Sequence, residues 1–200
     1  MQKSNHHVFM EALVRRIRED DPEFTVFHEE FYRMQAGLAG ELKVKNRLAD
    51  YPFKKDYGVL FNFECLNARG FSHQIDALLI TAHFVMILEV KQIAGQLSYN
   101  PKLHEFSRRA ENGSEENLAN PFDQAYRHQL FIEEILEQHN IQIPVHHLVV
   151  IANYRAKLDP SLESMPIIHL SGLPNFLENL FEQFPATNHS PKLLQTLFEK

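Results

Sequence analysis

The sequence predicts a mixed α/β fold in which a central sheet is flanked by helices and preceded by a helical extension. Apolar residues recur at helical spacing before residue 51 and after residue 120, whereas the stretch 57–93 alternates or is almost wholly apolar, as strands do. The predicted order α-α-β-β-β-α-β-β-α-α contains a strand–helix–strand unit, which allows a parallel crossover. A chain of 200 residues is long enough for one domain with a substantial core.

Two helices are predicted at the start of the chain. They cover 7–18 and about 28–50, and each is followed by a proline that prevents its continuation. The second helix contains Gly37 and Gly40, each of which weakens a helix by up to ~1 kcal/mol relative to alanine. We therefore expect another segment to approach this helix closely at the glycines.

A meander of three strands is predicted next, at Tyr57–Phe63, His73–Ile80 and Phe84–Ile93. Thr81–His83 is short enough to be the hairpin turn between the last two strands. Residues 95–120 are polar and contain turn signals, so they predict a loop, with a weak hairpin as the alternative.

The second half of the chain is predicted to alternate between helices and strands. Asn120 and Pro121 are typical of a helix start, and the apolar pattern that follows extends to about His139. Strands are expected at 145–152 and 166–170. Two further helices are expected from Pro174 and Pro191 onward, the last with Ser190 as N-cap.

Composition limits the classes of protein to consider. The net charge is −6, from 20 basic and 26 acidic residues, which disfavours a protein that coats nucleic acid through bulk positive charge. A single cysteine, Cys65, excludes an internal disulfide and is typical of a reducing compartment. The absence of a long apolar run and of a secretory signal predicts a cytoplasmic location and no membrane partner.

Glu89 and Lys91 lie two residues apart at the end of the most apolar strand, so both side chains point to the same side. With the turn at 81–83, Asp76 in the preceding strand falls opposite about residue 88, and a small change of register would bring the carboxylates together. Two such carboxylates suit a hard cation such as Mg²⁺, and without it they should raise one another's pKa. The alternative is an ordinary ion pair at an exposed strand end, which is what an isolated E-x-K pattern in a strand usually forms.

Other polar clusters in the sequence are weaker candidates for a functional site. The adjacent histidines at 6–7 and 146–147 would diverge in a helix or strand, so neither pair predicts a metal site. Arg108–Arg109 fits a solvated charge pair better than a phosphate contact.

Five motifs in order resemble the NERD, or nuclease-related, domain of the restriction-endonuclease-like PD-(D/E)XK superfamily. The resemblance covers about 36–154. Its motifs are Gly40-Glu41, Gln74-Ile75-Asp76, Glu89-Val90-Lys91, Gly95 and Asn120-Pro121-Phe122-Asp123-Gln124.

The resemblance implies a role for each matched residue. Asp76 and Glu89 would be the ligands of Mg²⁺, or alternatively Mn²⁺, with the Val90 carbonyl as a further ligand. Lys91 would be the catalytic lysine, and Glu41 would contribute an additional acid from its helix. Gln124 is favoured over His128, which lies four residues later on the same helix face.

The function expected from this resemblance is a Mg²⁺-dependent nuclease that hydrolyses DNA phosphodiester bonds with an activated water. The alternative is a catalytically inactive nuclease-fold module that binds nucleic acid or protein. We expect a helical extension over 1–35, a nuclease core over 36–160, and a C-terminal strand and helices packed on that core over 161–200. An apolar face on the N-terminal helices predicts a homodimer formed through them.

Overall fold

A computed structural model describes residues 5–67 and 69–199 of the chain. The helices are α1 (Asn5–Val14), α2 (Phe24–Asp50), α3 (Pro121–Gln138), α4 (Leu173–Gln183) and α5 (Pro191–Phe198). The strands are β1 (Tyr57–Leu66), β2 (Ser72–Thr81), β3 (Val85–Lys91), β4 (Gly95–Asn100), β5 (Glu105–Arg109), β6 (Glu115–Leu118), β7 (Val145–Ile151), β8 (Ala156–Leu158) and β9 (Ile167–His169).

The central sheet has five strands in the order β1-β2-β3-β7-β9. The first three strands form the predicted antiparallel meander, whereas β3, β7 and β9 run parallel. A parallel neighbour requires a crossover connection, and the segment between β3 and β7 contains α3. The predicted α/β fold, with a mixed central sheet and an N-terminal helix, is therefore confirmed.

The expectation of a loop over 95–120 was wrong, whereas the alternative of a hairpin is confirmed by the antiparallel pairing of β4 with β5. This stretch forms β4, β5 and β6, which with β8 build a second sheet of four strands in the order β6-β5-β4-β8. β4, β5 and β6 are short and largely polar, and Leu97, Tyr99 and Phe106 are their buried residues. These three side chains pack against Phe122 at the start of α3. Burial against a distant helix, which local sequence does not reveal, stabilises strands that hydrophobic pattern alone would not predict.

The central sheet is covered on both faces. α2 and α4 pack on one face, where Val44, Leu48, Leu177 and Phe181 meet strand residues such as Met86. The opposite face is covered by α3 and α5 through a separate set of apolar side chains, among them Ile87, Ile132, Leu136, Leu194 and Phe198. β3 therefore lies between α2 and α3. In the described part of the chain, no helix has both the length and the apolar character needed to cross a membrane.

Two predicted helix starts differ in their capping. The Asn120 side chain accepts hydrogen bonds from the backbone N–H groups of Phe122, at 2.9 Å, and Asp123, at 3.4 Å. These bonds satisfy donors that the first turn of a helix otherwise leaves unpaired. Ser190 stands at the N-cap position of α5 but makes no side-chain capping bond.

The two glycines of α2 have different surroundings. A Cβ built on Gly40 would lie 3.2 Å from the Gln92 Cβ and 3.4 Å from the Val90 Cγ1, so the predicted close approach occurs here. A Cβ built on Gly37 would meet nothing within 4 Å. Gly40 therefore lets the helix approach the end of β3, and Gly37 has no such role.

Gly37→Ala is expected to stabilise the protein by about 0.5–1 kcal/mol, because alanine loses less backbone entropy in a helix and has free space here. Gly40→Ala should not show this gain, since Gln92 and Val90 would have to move. Urea unfolding of both variants beside the wild type measures the difference. Equal stabilisation by the two substitutions would contradict the assigned role of Gly40.

The N-terminal helices pack against each other but keep part of their apolar surface in solvent. Met10 is buried, whereas Val8, Phe9, Val26 and Tyr32 are exposed. The homodimer and the domain boundaries at residues 35 and 160 stay predictions.

Candidate active site

The register of the central sheet brings Asp76 and Glu89 to the same level. β2 and β3 pair antiparallel from Ile80 opposite Val85 to Ala77 opposite Leu88, and the chain continues from this last pair to Asp76 on one strand and Glu89 on the other. This is one residue from the register that the turn length predicts. The Val90 backbone N–H donates to Asp76 Oδ2 at 2.7 Å, which ties the carboxylate to the neighbouring strand.

The rung that contains Asp76 is irregular. In β1, Phe61 packs on the face covered by α2, whereas Phe63, two residues later, packs on the face covered by α3. β2 changes face in the same way across Asp76. Asn62, which lies opposite Asp76, has φ of 52°, a left-handed conformation that is uncommon for residues other than glycine. Backbone strain of this kind tends to cluster at functional sites.

Glu89, Lys91 and Gln124 form a connected chain of polar side chains on the α3 side of the sheet. Lys91 Nζ lies 2.7 Å from Glu89 Oε1 and donates to Gln124 Oε1 at 3.3 Å. Glu89 is 1% exposed, whereas the Lys91 side chain keeps 24% of its surface accessible. The lysine is therefore held from two sides while its ammonium group stays within reach of a ligand.

Glu41 enters from α2, on the opposite side of the sheet. The close approach at Gly40 brings this turn of the helix against Val90 and Gln92 at the end of β3. The Glu41 carboxylate interacts unfavourably with Asp76 and forms a hydrogen bond with the side chain of Asn62. Asp76 thus lies between two further acids, Glu41 and Glu89, that come from different layers of the fold.

Burial is the main cause of the perturbed acid–base behaviour of these carboxyl groups. Burial, and then the charge of Asp76, raise the pKa of Glu89 to about 7, although Lys91 opposes the rise. The same two causes raise the pKa of Glu41 to about 7, against the Asn62 hydrogen bond. Burial also raises the pKa of Asp76, while the Val90 N–H and Lys91 lower it. Charged groups packed so closely require a compensating cation if all are to ionise at neutral pH.

The donor set fits a hard divalent cation. Among residues 5–67 and 69–199, no three His, Cys, Asp or Glu side chains are arranged to hold a metal by themselves. Mg²⁺ does not require such a cage, because it binds through one or two carboxylates and completes its shell with water and substrate phosphate. Glu89 Oε2 and Glu41 Oε2 are buried and lack a hydrogen-bond partner among the described residues. Buried carboxylate oxygens without partners are the atoms that such a cation would satisfy.

The five predicted site residues with functional side chains come together at this place. Lys91 contacts both Glu89 and Gln124. Asp76 accepts a hydrogen bond from the Val90 N–H, and the charge of Asp76 acts on both Glu89 and Glu41. His128 makes its contact outside this group, with its Nδ1 3.2 Å from Nδ1 of His73.

Sequence reasoning did not identify Asn62 or Arg127. Asn62 bonds Glu41, and the Arg127 guanidinium lowers the pKa of Glu89. Arg127 could have been found from its position on α3, three residues after Gln124 and therefore on a neighbouring part of the same face. Nothing in the sequence around Asn62 signals its left-handed backbone.

Comparison with known proteins gives one match. The family model of the nuclease-related domain matches residues 36–152, which is more than half of the chain and contains all of the candidate site residues. Neither the curated proteins nor the solved structures contain a match to this chain.

Proposed function

The chain belongs to the nuclease-related domain family, and on that basis we propose that it is a Mg²⁺-dependent nuclease that hydrolyses phosphodiester bonds in DNA. The observation that carries the proposal is the buried Glu89 carboxylate. One of its oxygens contacts Lys91, and the other lacks a partner among the described residues. A fold that needed only an ion pair would not leave this oxygen buried and unsatisfied, because the cost is about 1–3 kcal/mol or more.

Lys91 is the residue best placed to act on the substrate. Glu89 and Gln124 hold its ammonium group, and a quarter of the side chain stays accessible. A positive charge fixed beside the reacting phosphate stabilises the negative charge that develops in the transition state, and Lys91 Nζ would also orient the attacking water. Because Gln124 lies on α3, the lysine position depends on the packing of that helix.

Asp76 and Glu89 would hold the cation, with the Val90 carbonyl as a further ligand. The bound cation would supply Lewis-acid stabilisation of the phosphate and neutralise the acidic cluster. The chain itself buries and places the acids, while Glu41 adds negative charge from the α2 side. A protein with a net charge of −6 can bind DNA at such a place because the cation offsets the local repulsion.

The test is an assay of purified protein with linear, supercoiled and single-stranded DNA in Mg²⁺ or Mn²⁺. Cleavage is expected with either metal and should disappear when EDTA removes the metal ion. DNA binding without cleavage, indifferent to metal and to substitution of Asp76 or Lys91, would instead favour the inactive binding module.

Asp76→Asn is expected to weaken Mn²⁺ binding more than the ~10–100-fold that loss of an outer-shell partner costs, because a charged ligand is removed. Isothermal titration calorimetry measures the change without any need for activity. Asp56→Asn, at an exposed position in the loop before β1, is the matched control and should bind as the wild type does. Unaltered Mn²⁺ affinity in Asp76→Asn would exclude this carboxylate as a ligand.

A further inference from the structure

A cleft of about 690 Å³ adjoins the candidate active site, and we call it the side cleft. It lies between the turn that joins β1 to β2 and the exposed side of α3. Its lining includes Arg69, Phe71, His73, Arg127, His128 and Phe131. A volume of this size falls within the ~300–1,000 Å³ typical of pockets that bind small organic groups.

The side cleft and the active site share two elements of structure. His128 follows Gln124 by four residues on α3, a distance of about 6 Å along the helix axis. His73 precedes Asp76 by three residues on β2, or about 10 Å along the strand. The Arg127 charge acts both on Glu89 and on the two cleft histidines. A DNA strand bound at the active site would therefore place a neighbouring nucleotide in the side cleft.

Aromatic rings line the side cleft, one of them at its open edge. His73 stacks on Phe131 with the ring centroids 4.1 Å apart and an interplanar angle of 9°. Phe71 lines the same cleft and is 67% exposed, although phenylalanine is usually buried. An exposed ring beside a charged cleft is the arrangement on which unpaired bases stack.

The side cleft contains two arginines, Arg69 and Arg127. Among the described residues, Arg69 and Arg127 form no ion pair, whereas Arg108 and Arg109 on the second sheet bind Glu116 and Glu115. The two arginines of the side cleft are therefore available for an anionic ligand. The cleft also contains Glu134, whose charge acts on His73 and which lies seven positions beyond Arg127, about 10 Å farther along α3.

His128 provides an independent sign that a ligand belongs in the side cleft. Its side chain lines the cleft and is 7% exposed, and its Nε2 has no partner among the described residues. Nδ1 faces Nδ1 of His73 at 3.2 Å, so one ring donates and the other accepts. Nε2 is left as a buried hydrogen-bonding atom that a bound polar group would satisfy.

We propose that the side cleft binds an unpaired nucleotide of the substrate strand, next to the phosphodiester that is cleaved. Phe71 stacks on the base, Arg69 and Arg127 contact the backbone phosphates, and His128 Nε2 bonds a polar atom of the nucleotide. A paired base cannot offer its face to Phe71, so the substrate is single-stranded or frayed at this point. The proposal rests on the proposed nuclease function and specifies its substrate class.

The test measures binding of a fluorescent oligothymidine of about 15 nucleotides by anisotropy, in Mg²⁺ and in a Lys91→Ala background so that the probe stays intact. Phe71→Leu keeps the apolar bulk but removes the stacking ring, and it should weaken single-strand binding about five- to a hundredfold. Phe71→Trp should restore binding. Leu193→Ala, at an apolar position on α5 that is 65% exposed, is the control and should change nothing.

A second pair of variants tests the phosphate contacts. Arg69→Gln should weaken binding and lower the slope of log affinity against log salt by about 1. Arg108→Gln removes an arginine that is already paired with Glu116 and should leave the slope unchanged. This pair keeps the proposal testable if a Phe71 variant folds poorly.

Three outcomes separate this proposal from the nuclease function. Unchanged single-strand affinity in Phe71→Leu and Arg69→Gln overturns the side-cleft proposal, even if the wild-type protein cleaves DNA. Equal losses for single-stranded and duplex probes also overturn it, because stacking would then not select an unpaired base. A loss of affinity that is confined to the single-stranded probe supports the side-cleft proposal. If this loss is seen but the wild-type protein cleaves no DNA, only the nuclease function fails.

Discussion

Replacing Lys91 with alanine is expected to lower the rate of DNA cleavage by about 10²–10⁴-fold. The ammonium group lies 2.7 Å from Glu89 Oε1 and is also held by Gln124, so no other described cation is in position to replace it. Arg127, whose charge also acts on Glu89, lies on the exposed side of α3 and lines the side cleft. Initial rates on supercoiled DNA in saturating Mg²⁺ measure the loss.

Two controls make the Lys91 result interpretable. Lys102→Ala removes a lysine from the exposed turn between β4 and β5 and should cleave at the wild-type rate. Thermal unfolding of Lys91→Ala should remain cooperative, because the side chain sits at the edge of the core. Cleavage by Lys91→Ala at the wild-type rate would mean that the activity arises elsewhere on the protein or from a contaminant.

Glu89→Gln is expected to stabilise the metal-free protein while abolishing cleavage. Burial raises the pKa of Glu89 in the folded state from about 4.5 to about 7. The folded state therefore holds a proton that the unfolded chain releases between these values, and stability is lost as the pH rises through this window. At about pH 8 the loss approaches ~3 kcal/mol, and an uncharged glutamine of the same shape avoids it.

The measurement is the unfolding temperature in EDTA at about pH 5 and about pH 8. The variant should exceed the wild type only at the higher pH, by roughly 2–4 °C for each kcal/mol. Saturating Mg²⁺ should narrow or reverse the difference, because the cation binds the folded wild type and lacks a charged ligand in the variant. Glu182→Gln, at an exposed position of α4, should show no such dependence. A variant that is less stable than the wild type in EDTA at both pH values would contradict the predicted repulsion.

Both expected results have the same physical origin. The site combines three acids, from α2, β2 and β3, with one lysine at the end of β3, and the acids destabilise the fold until a cation binds. Glu89 lowers the stability of the metal-free protein, because one of its buried oxygens remains without a partner among the described residues. The strained backbone at Asn62, whose side chain bonds Glu41, is part of the same arrangement.

Local sequence was sufficient to predict the helices and strands that bury many apolar residues. The meander of β1 to β3, the cap and length of α3, and the buried β7 follow from periodicity and capping rules that act within a few residues. Local sequence was not sufficient to predict β4, β5 and β6, because these strands depend on pairing with each other and on packing against Phe122. It also missed the register of β2 and β3 by one residue, since hairpin turns of similar length differ in geometry.

The motifs were enough to predict the members of the site, because five of them in order place Glu41, Asp76, Glu89, Lys91 and Gln124 in one family pattern. How these residues meet depends on the packing of the helices on the sheet. Glu41 reaches Asp76 because Gly40 lets α2 approach β3, and Gln124 reaches Lys91 because α3 covers the opposite face. Contacts between layers depend on how distant segments pack, and no local spacing specifies them. The side cleft has the same origin, since Phe71 and His128 are brought together across the chain only when α3 lies beside the turn between β1 and β2.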